Sequence, residues 1–183
     1  MSGLRLDRER ARREADQFRA ETRELTDAVE RDSLTGIGNR RAFDRALGAL
    51  LSHSDADCVV LATPSGLHPA QAVQVAQSGR HVMTEKPMAT RWQDGLAMVR
   101  ACDDAGVHLF VVKQNRRNRT LQLLKRAIDG GRFGRIYMVS VNVFWSRPQS
   151  YYDSAAWRGT WEFDGGAFMN QASHYVDLLD WMI

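Results

Sequence analysis

The stretch RRAFDRALGALLSHSDADCVVLATPSG, residues 40–66, decides the fold. Phe43, Leu47, Leu50 and Leu51 lie one helical repeat or less apart, so its first half predicts a helix with a single apolar face. Cys58-Val-Val-Leu-Ala62 is a short apolar run, as a buried parallel strand requires. Thr63-Pro-Ser-Gly66 then supplies a turn. A helix running into such a strand is one step of an alternating α/β pattern.

The pattern continues downstream. Helices are predicted over 69–78, 91–105 and 119–129, with strands over 81–84 and 108–112 between them. Residues 136–144 alternate as a strand of another sheet, and 145–163 form a polar, aromatic-rich loop. Residues 165–183 open with two glycines and become a helix. Upstream, Leu4, Ala11, Phe18 and Leu25 recur every seven residues, with Arg8, Ala15, Thr22 and Val29 as the complementary row. That heptad seam suits a weak parallel coiled-coil dimer; a single solvated helix with i,i+4 ion pairs is the alternative. Gly36 and Gly38 break this helix, and Asn39 is placed to cap the next. Gly36-Ile-Gly38 is not a dinucleotide fingerprint, because it follows a helix and Arg41 stands where the third glycine should fall.

A chain of 183 residues holds one domain plus an extension. Its 25 basic and 22 acidic residues leave a net charge of +3, too near balance for a dedicated nucleic-acid binder. Cys58 and Cys102 match no metal-ligand spacing, and the five histidines are scattered, so no metal site is expected. No apolar run is long enough to span a bilayer, and no signal-peptide core is present, which predicts a soluble protein of the reducing cytoplasm.

Two elements carry chemistry. In Thr84-Glu-Lys-Pro-Met88 a lysine stands directly after a strand, at the carboxyl end of the sheet where open α/β folds bind ligands. There Lys86 can hold a sugar hydroxyl or share its proton; a surface turn is the plain alternative. In Gly165-Gly-Ala-Phe-Met-Asn-Gln-Ala-Ser-His174-Tyr-Val-Asp177, a helix puts Asn170, His174 and Asp177 on one face. A histidine beside an amide and a carboxylate suits proton handling, and a core-facing histidine is the alternative.

With Ala62-Thr-Pro-Ser-Gly-Leu-His-Pro69, these elements make residues 53–183 resemble the Gfo/Idh/MocA oxidoreductases, NAD(P)-dependent enzymes acting mostly on sugars and cyclitols. Val111-Val-Lys-Gln-Asn-Arg-Arg-Asn118 and Trp157-Arg-Gly-Thr-Trp-Glu-Phe-Asp-Gly-Gly166 resemble the branch that oxidises C3 of UDP-N-acetylglucosaminuronate. The resemblance implies that Thr63, Pro64, Ser65 and His68 line NAD (or NADP) near its nicotinamide, with Glu85, Lys86 and Pro87 flanking it. It implies a catalytic set of His174, Lys86 and Asn170, with His174 taking the hydroxyl proton; many family members carry Asp where Asn170 stands. Gln114, Asn115, Arg116, Arg117 and Asp177 are the implied contacts to an anionic UDP-sugar, an ordinary solvated turn being the alternative for the arginines.

The departure from the family is the glycine-rich turn, which has no counterpart here, and the chain ends before most of the substrate-domain sheet. Asp32-Ser-Leu-Thr-Gly-Ile-Gly-Asn-Arg-Arg-Ala-Phe43 after a heptad helix resembles instead the entry to GGDEF domains, the diguanylate cyclases, over residues 4–51. The expected architecture is therefore a partial Rossmann-like α/β parallel sheet lacking its first βαβ half. To it are added the start of an α+β substrate domain and an N-terminal long helix or coiled coil. The expected divisions are residues 1–31 (heptad arm), 32–52 (GGDEF-like entry), 53–115 (half of a dinucleotide-binding domain) and 116–183 (substrate domain). The expected function is oxidation of a sugar-nucleotide hydroxyl, impaired by loss of the glycine loop. The alternative is a coiled-coil signalling module, dimerised through its arm, carrying a non-catalytic dehydrogenase fragment.

Overall fold

The computed structural model describes residues 3–30 and 40–183. Its contacts divide the chain into two units, Met1–Asp55 and Ala56–Ile183. The first holds helices α1 (Gly3–Glu30) and α2 (Arg40–His53). In α1, residues 12–25 are all exposed, Phe18 and Leu25 among them, and the Thr22 hydroxyl donates back to the Phe18 carbonyl at 2.7 Å. The expected long helix is present, and Ala15, Phe18, Thr22 and Leu25 of its heptad rows are exposed. In α2 the predicted stripe is partly covered: Leu47 is buried, Phe43 and Leu51 are half-buried, and Leu50 is exposed. The expected Asp-x-Leu-Thr turn lies among residues 31–39, outside the described residues.

The second unit is built on three parallel strands in the order β1-β2-β3, with β1 Cys58–Leu61, β2 His81–Thr84 and β3 Leu109–Val111. The crossovers are α3 (His68–Gln77) and α4 (Trp92–Asp104). Pro69 sits in the first turn of α3, where a missing N–H costs nothing. The two helices pack against each other and on the sheet, so both cover one face. That face holds the core: Val59, Leu61, Val82 and Thr84 from the strands, Ala72, Val75 and Ala76 from α3, Met98 and Cys102 from α4. Burying a side chain such as Leu61 or Met98 contributes about 1.5–3 kcal/mol. The opposite face is open, with Val60 60 % and Phe110 46 % exposed. The apolar run at Cys58 thus predicts the strand correctly, but only one of its faces is buried.

After β3 a 3-10 turn, Gln114–Arg117, leads into α5 (Arg119–Asp129), whose first turn is capped by the Asn118 side chain accepting from Thr120 N at 3.0 Å. The strand expected over 136–144 does not form. Alternation supplies an apolar face, but a strand exists only when a neighbour pairs with its backbone, and none of the described strands lies beside this one. Its apolar side chains stand in solvent, Met138 85 % and Phe144 91 % exposed. The following loop contains a short helix, α6 (Gln149–Asp153). The last predicted helix is split into a π-helical turn, Phe168–Ala172, and α7 (Ser173–Met182).

The aromatic loop of residues 157–165 docks on the strand ends through one close approach. Gly66 N donates to the Phe163 carbonyl at 3.1 Å, and a Cβ at Gly66 would lie 2.2 Å from the Glu162 carbonyl oxygen. Only glycine admits that distance. Gly66→Ala is therefore expected to lower stability by about 1–3 kcal/mol in a urea titration. Gly48→Ala in α2, where nothing lies within 4 Å of the added carbon, serves as the comparison and is expected to be neutral or stabilising.

Candidate functional site

The carboxyl ends of β1 and β2 deliver two loops to one place. From β2 comes Glu85-Lys-Pro87, half-buried except for a buried Pro87, with a cis Lys86–Pro87 peptide. The Lys86 ammonium donates to both the carbonyl and the side-chain oxygen of Asn170, each at 2.9 Å. Asn170, itself buried, turns its amide nitrogen onto a carboxylate oxygen of buried Asp164. The other Asp164 oxygen accepts from Gly159 N at 2.8 Å. Gly165 and Gly166, at φ +74° and +77°, allow the chain to reverse between Asp164 and the π-helical turn. The result is a relay from ammonium to amide to carboxylate. Burial lowers the Lys86 pKa, while Glu85 and Asp164 oppose that fall and Lys113 and Arg147 add to it.

One turn further on, His174 is buried, and no group among the described residues hydrogen-bonds its ring. It borders an open cleft of about 710 Å³ with Gln114, Asn115, Trp145 and Tyr175. Burial depresses its pKa first, and the positive charges of Lys86 and Lys113 depress it further, against Asp177 and Glu85. A neutral imidazole with an uncommitted ring nitrogen is a competent proton acceptor. At the next turn Asp177 receives the Arg116 guanidinium in a two-pronged pair at 2.9 and 2.6 Å, with Lys113 3.7 Å away. Arg116 also lies over the Trp181 ring at 5.9 Å.

The β1 loop is held from behind. His68 is fully buried, its ring nitrogens 3.0 Å from the Pro87 carbonyl and 2.8 Å from the Thr63 carbonyl. The Thr63 hydroxyl donates to buried Gln71 at 2.6 Å, and Ser65 is buried in the 3-10 turn. His68 therefore joins the two strand-end loops; it does not face an open surface. These loops and Lys86 fit the nicotinamide end of a dinucleotide. A pyrophosphate needs glycines where a strand turns into a helix N-terminus. The described residues before β1 contain helices and no strand, and Gly48 lies in mid-helix with no group near it. The residues do not fit that end. Among the described residues, no cluster of His, Cys, Asp or Glu is placed to hold a metal ion, and no helix is long and apolar enough to cross a membrane.

The structure thus brings Lys86, Asn170 and His174 to one centre, with Glu85 and Pro87 on the same loop as Lys86. Asp177 and Arg116, both read from sequence as substrate contacts, are engaged with each other. Gln114 and Arg117 are exposed on the turn after β3, with Asn115 and Pro64 half-buried. Asp164 escaped the sequence reading, although an acid directly before two glycines was its visible signal.

Residues 4–113 match the model of an oxidoreductase family with an NAD-binding Rossmann fold (Gfo/Idh/MocA), and residues 121–183 match that family's C-terminal domain. The first match runs through the arm that resembles a GGDEF entry, so the GGDEF reading of that arm is not supported. A dehydrogenase of 1-carboxy-3-chloro-3,4-dihydroxycyclohexa-1,5-diene from Comamonas testosteroni is 31 % identical over 72 % of this chain and 32 % of its own length. The scyllo-inositol 2-dehydrogenase (NADP(+)) IolW of Bacillus subtilis is 33 % identical over 66 % of this chain and 33 % of its own. Among solved structures, the WlbA dehydrogenase of Bordetella pertussis, in complex with NADH and UDP-GlcNAcA, is 67 % identical with a TM-score of 0.71. Its Chromobacterium violaceum counterpart, with the same two ligands, is 65 % identical with a TM-score of 0.72. Both alignments cover 79 % of this chain and 45 % of theirs, so the chain spans about a third of the curated relatives and under half of these enzymes.

A double-mutant cycle tests the Arg116–Asp177 pair. Arg116→Gln, Asp177→Asn and the double variant are expected to show a coupling of about 1–2 kcal/mol in urea titrations, modest because Arg116 is 38 % exposed. A coupling near zero would mean that the carboxylate does not fix the guanidinium.

Proposed function

We propose that this chain, which belongs to the Gfo/Idh/MocA oxidoreductase family, carries the reaction centre of a sugar-nucleotide dehydrogenase acting on a UDP-N-acetylglucosaminuronate-like substrate. The observation that carries the reading is the pairing of a neutral, uncommitted His174 with a Lys86 ammonium tethered to Asn170. The identity to two WlbA enzymes holding NADH and UDP-GlcNAcA supports this substrate over the smaller cyclitols. NAD, when bound, supplies the hydride acceptor; Thr63, Pro64, Ser65, Glu85, Lys86 and Pro87 would border its nicotinamide. His174 accepts the proton of the C3 hydroxyl, for which its lowered pKa keeps the lone pair available. Lys86 donates a hydrogen bond to that oxygen, and its own lowered pKa eases sharing of the proton. Asn170 keeps the ammonium in register, and Gln114, Asn115 and Arg117 border the sugar-nucleotide. We assign the nucleotide half to residues 53–115 and the substrate half to 116–183, after an arm (1–31) and its connection (32–52). Dimerisation through the arm and the GGDEF alternative gain no observation in their favour.

The test is NADH formation from UDP-N-acetylglucosaminuronate at saturating NAD. His174→Asn is expected to cut kcat about 10²–10⁴-fold, the range of a positioned acid–base group. Turnover that is indifferent to this change would overturn the assignment. In kcat/KM against pH, the acidic limb belongs to protonation of His174. Because its pKa is depressed, the neutral form survives to lower pH, so this limb falls below the ordinary histidine value and disappears in the variant. Since the described residues offer no pyrophosphate seat, NADH is expected to bind more weakly than micromolar in a fluorescence titration. A micromolar constant would show that other residues supply that seat.

A further inference from the structure

Asp164 is 3 % exposed and forms no ion pair among the described residues. A carboxylate so placed is costly unless it is hydrogen-bonded. Its two oxygens have one donor each, Gly159 N at 2.8 Å and the Asn170 side-chain nitrogen. The opposite end of that amide faces the Lys86 ammonium, which donates to Asn170 Oδ1 and to the Asn170 carbonyl at 2.9 Å each. An ammonium can only donate and an ionised carboxylate can only accept. The amide between them therefore has one satisfied orientation, oxygen toward Lys86 and nitrogen toward Asp164. Turned over, it would set donor against donor and acceptor against acceptor.

Other charges face Lys86 from the elements around it. Glu85 stands on its own loop, Lys113 follows β3, Arg147 precedes α6 and His174 lies on α7. Burial lowers the Lys86 pKa first; Glu85 and Asp164 oppose the fall, and Lys113 and Arg147 reinforce it. Glu85 accepts from the Lys86 backbone N–H at 3.2 Å, whereas Asp164 holds the amide that holds the ammonium.

We infer that Asp164 is a positioning residue of the reaction centre: it orients the Asn170 amide so that its oxygen directs the Lys86 ammonium, and it carries the counter-charge of that ammonium one hydrogen bond away. The inference deepens the dehydrogenase reading above and rests on it for the task of Lys86. It also accounts for an amide at position 170. An aspartate there would face Asp164 carboxylate to carboxylate, and the two would repel. Acid and amide are thus exchangeable as a pair, not one residue at a time.

The chain has three lysines, Lys86, Lys113 and Lys125, so carbon-13-labelled lysine gives three ε-carbon NMR signals, and Lys86→Arg identifies one of them. Its titration needs neither cofactor nor substrate. In Asp164→Asn the Lys86 midpoint is expected at lower pH than in the wild type, because a charge that raises it is gone. The exchange Asp164→Asn/Asn170→Asp sets the carboxylate directly against the ammonium and is expected to move the midpoint above the wild-type value. In turnover of UDP-N-acetylglucosaminuronate, Asp164→Asn is expected to lower kcat by about 10–10²-fold with KM little changed, the cost of a misplaced group. Its alkaline limb of kcat/KM should also move to lower pH, and the exchange should recover most of kcat. A purely structural Asp164 would lower stability and leave the midpoint where it is. An unchanged midpoint or an unchanged kcat in folded Asp164→Asn overturns the inference and leaves the dehydrogenase reading, which is tested at His174, standing. If circular dichroism shows Asp164→Asn to be unfolded, Asn170→Asp takes its place. That variant is expected to lose stability in urea and to regain it when Asp164→Asn is added; no regain overturns the inference. A wild type whose Lys86 titrates as expected but which forms no NADH removes the dehydrogenase reading and keeps the hold of Asp164 on Lys86.

Discussion

The Lys86 ammonium is taken partly out of water at the end of a strand, and the rest of the site is arranged around that charge. Desolvation opposes the charged form, so the protein supplies two oxygens from Asn170 and a carboxylate behind them. Asp164 can occupy that place only because the two glycines after it reverse the chain, and because Gly159 N takes its second oxygen. Gly165 has no room for a side chain against Met169 and Thr90, nor Gly166 against Trp161. Sterics at three glycines, Gly66 included, therefore position one lysine.

Charge is divided within the site with little surplus. Asp177 is consumed by Arg116 and Lys113, and Asp164 by Asn170 and the backbone. Arg116 has a short bidentate partner and a half-buried setting. Arg147 and Arg158 instead lie over aromatic rings, with no carboxylate in an ion pair with either among the described residues.

Local signals were legible in the sequence, and non-local ones were not. Strand 81–84 and helix 119–129 have the bounds that their apolar spacing predicts, because each is decided within its own residues. Lys86, Asn170 and His174 are singled out by strand-end placement and helical spacing, which need no knowledge of the tertiary fold, and the fold brings them near one another. Residues 136–144 show the limit: their alternation is genuine, but pairing depends on a neighbour that sequence periodicity cannot supply. The π-helical turn at Phe168–Ala172 holds the Asn170 carbonyl that accepts from Lys86, 84 residues earlier in the chain, a long-range contact that helical spacing does not foretell. His68 reads as a site residue, yet tertiary packing turns it inward as a brace between two loops.

The hydrogen bond from Gly66 to Phe163 has a consequence for the order of folding. The strands and crossover helices of the second unit are built from contacts between segments adjacent in sequence, which form early because little loop entropy is lost. The aromatic loop can seat itself only after both strand ends exist, through Gly66 and through Thr90, whose hydroxyl donates to the Glu162 carbonyl. The relay behind Lys86 is then completed in the same late event. A chain arrested before that step would keep its sheet and helices and hold no assembled site, so secondary structure content and chemical competence would appear at different times.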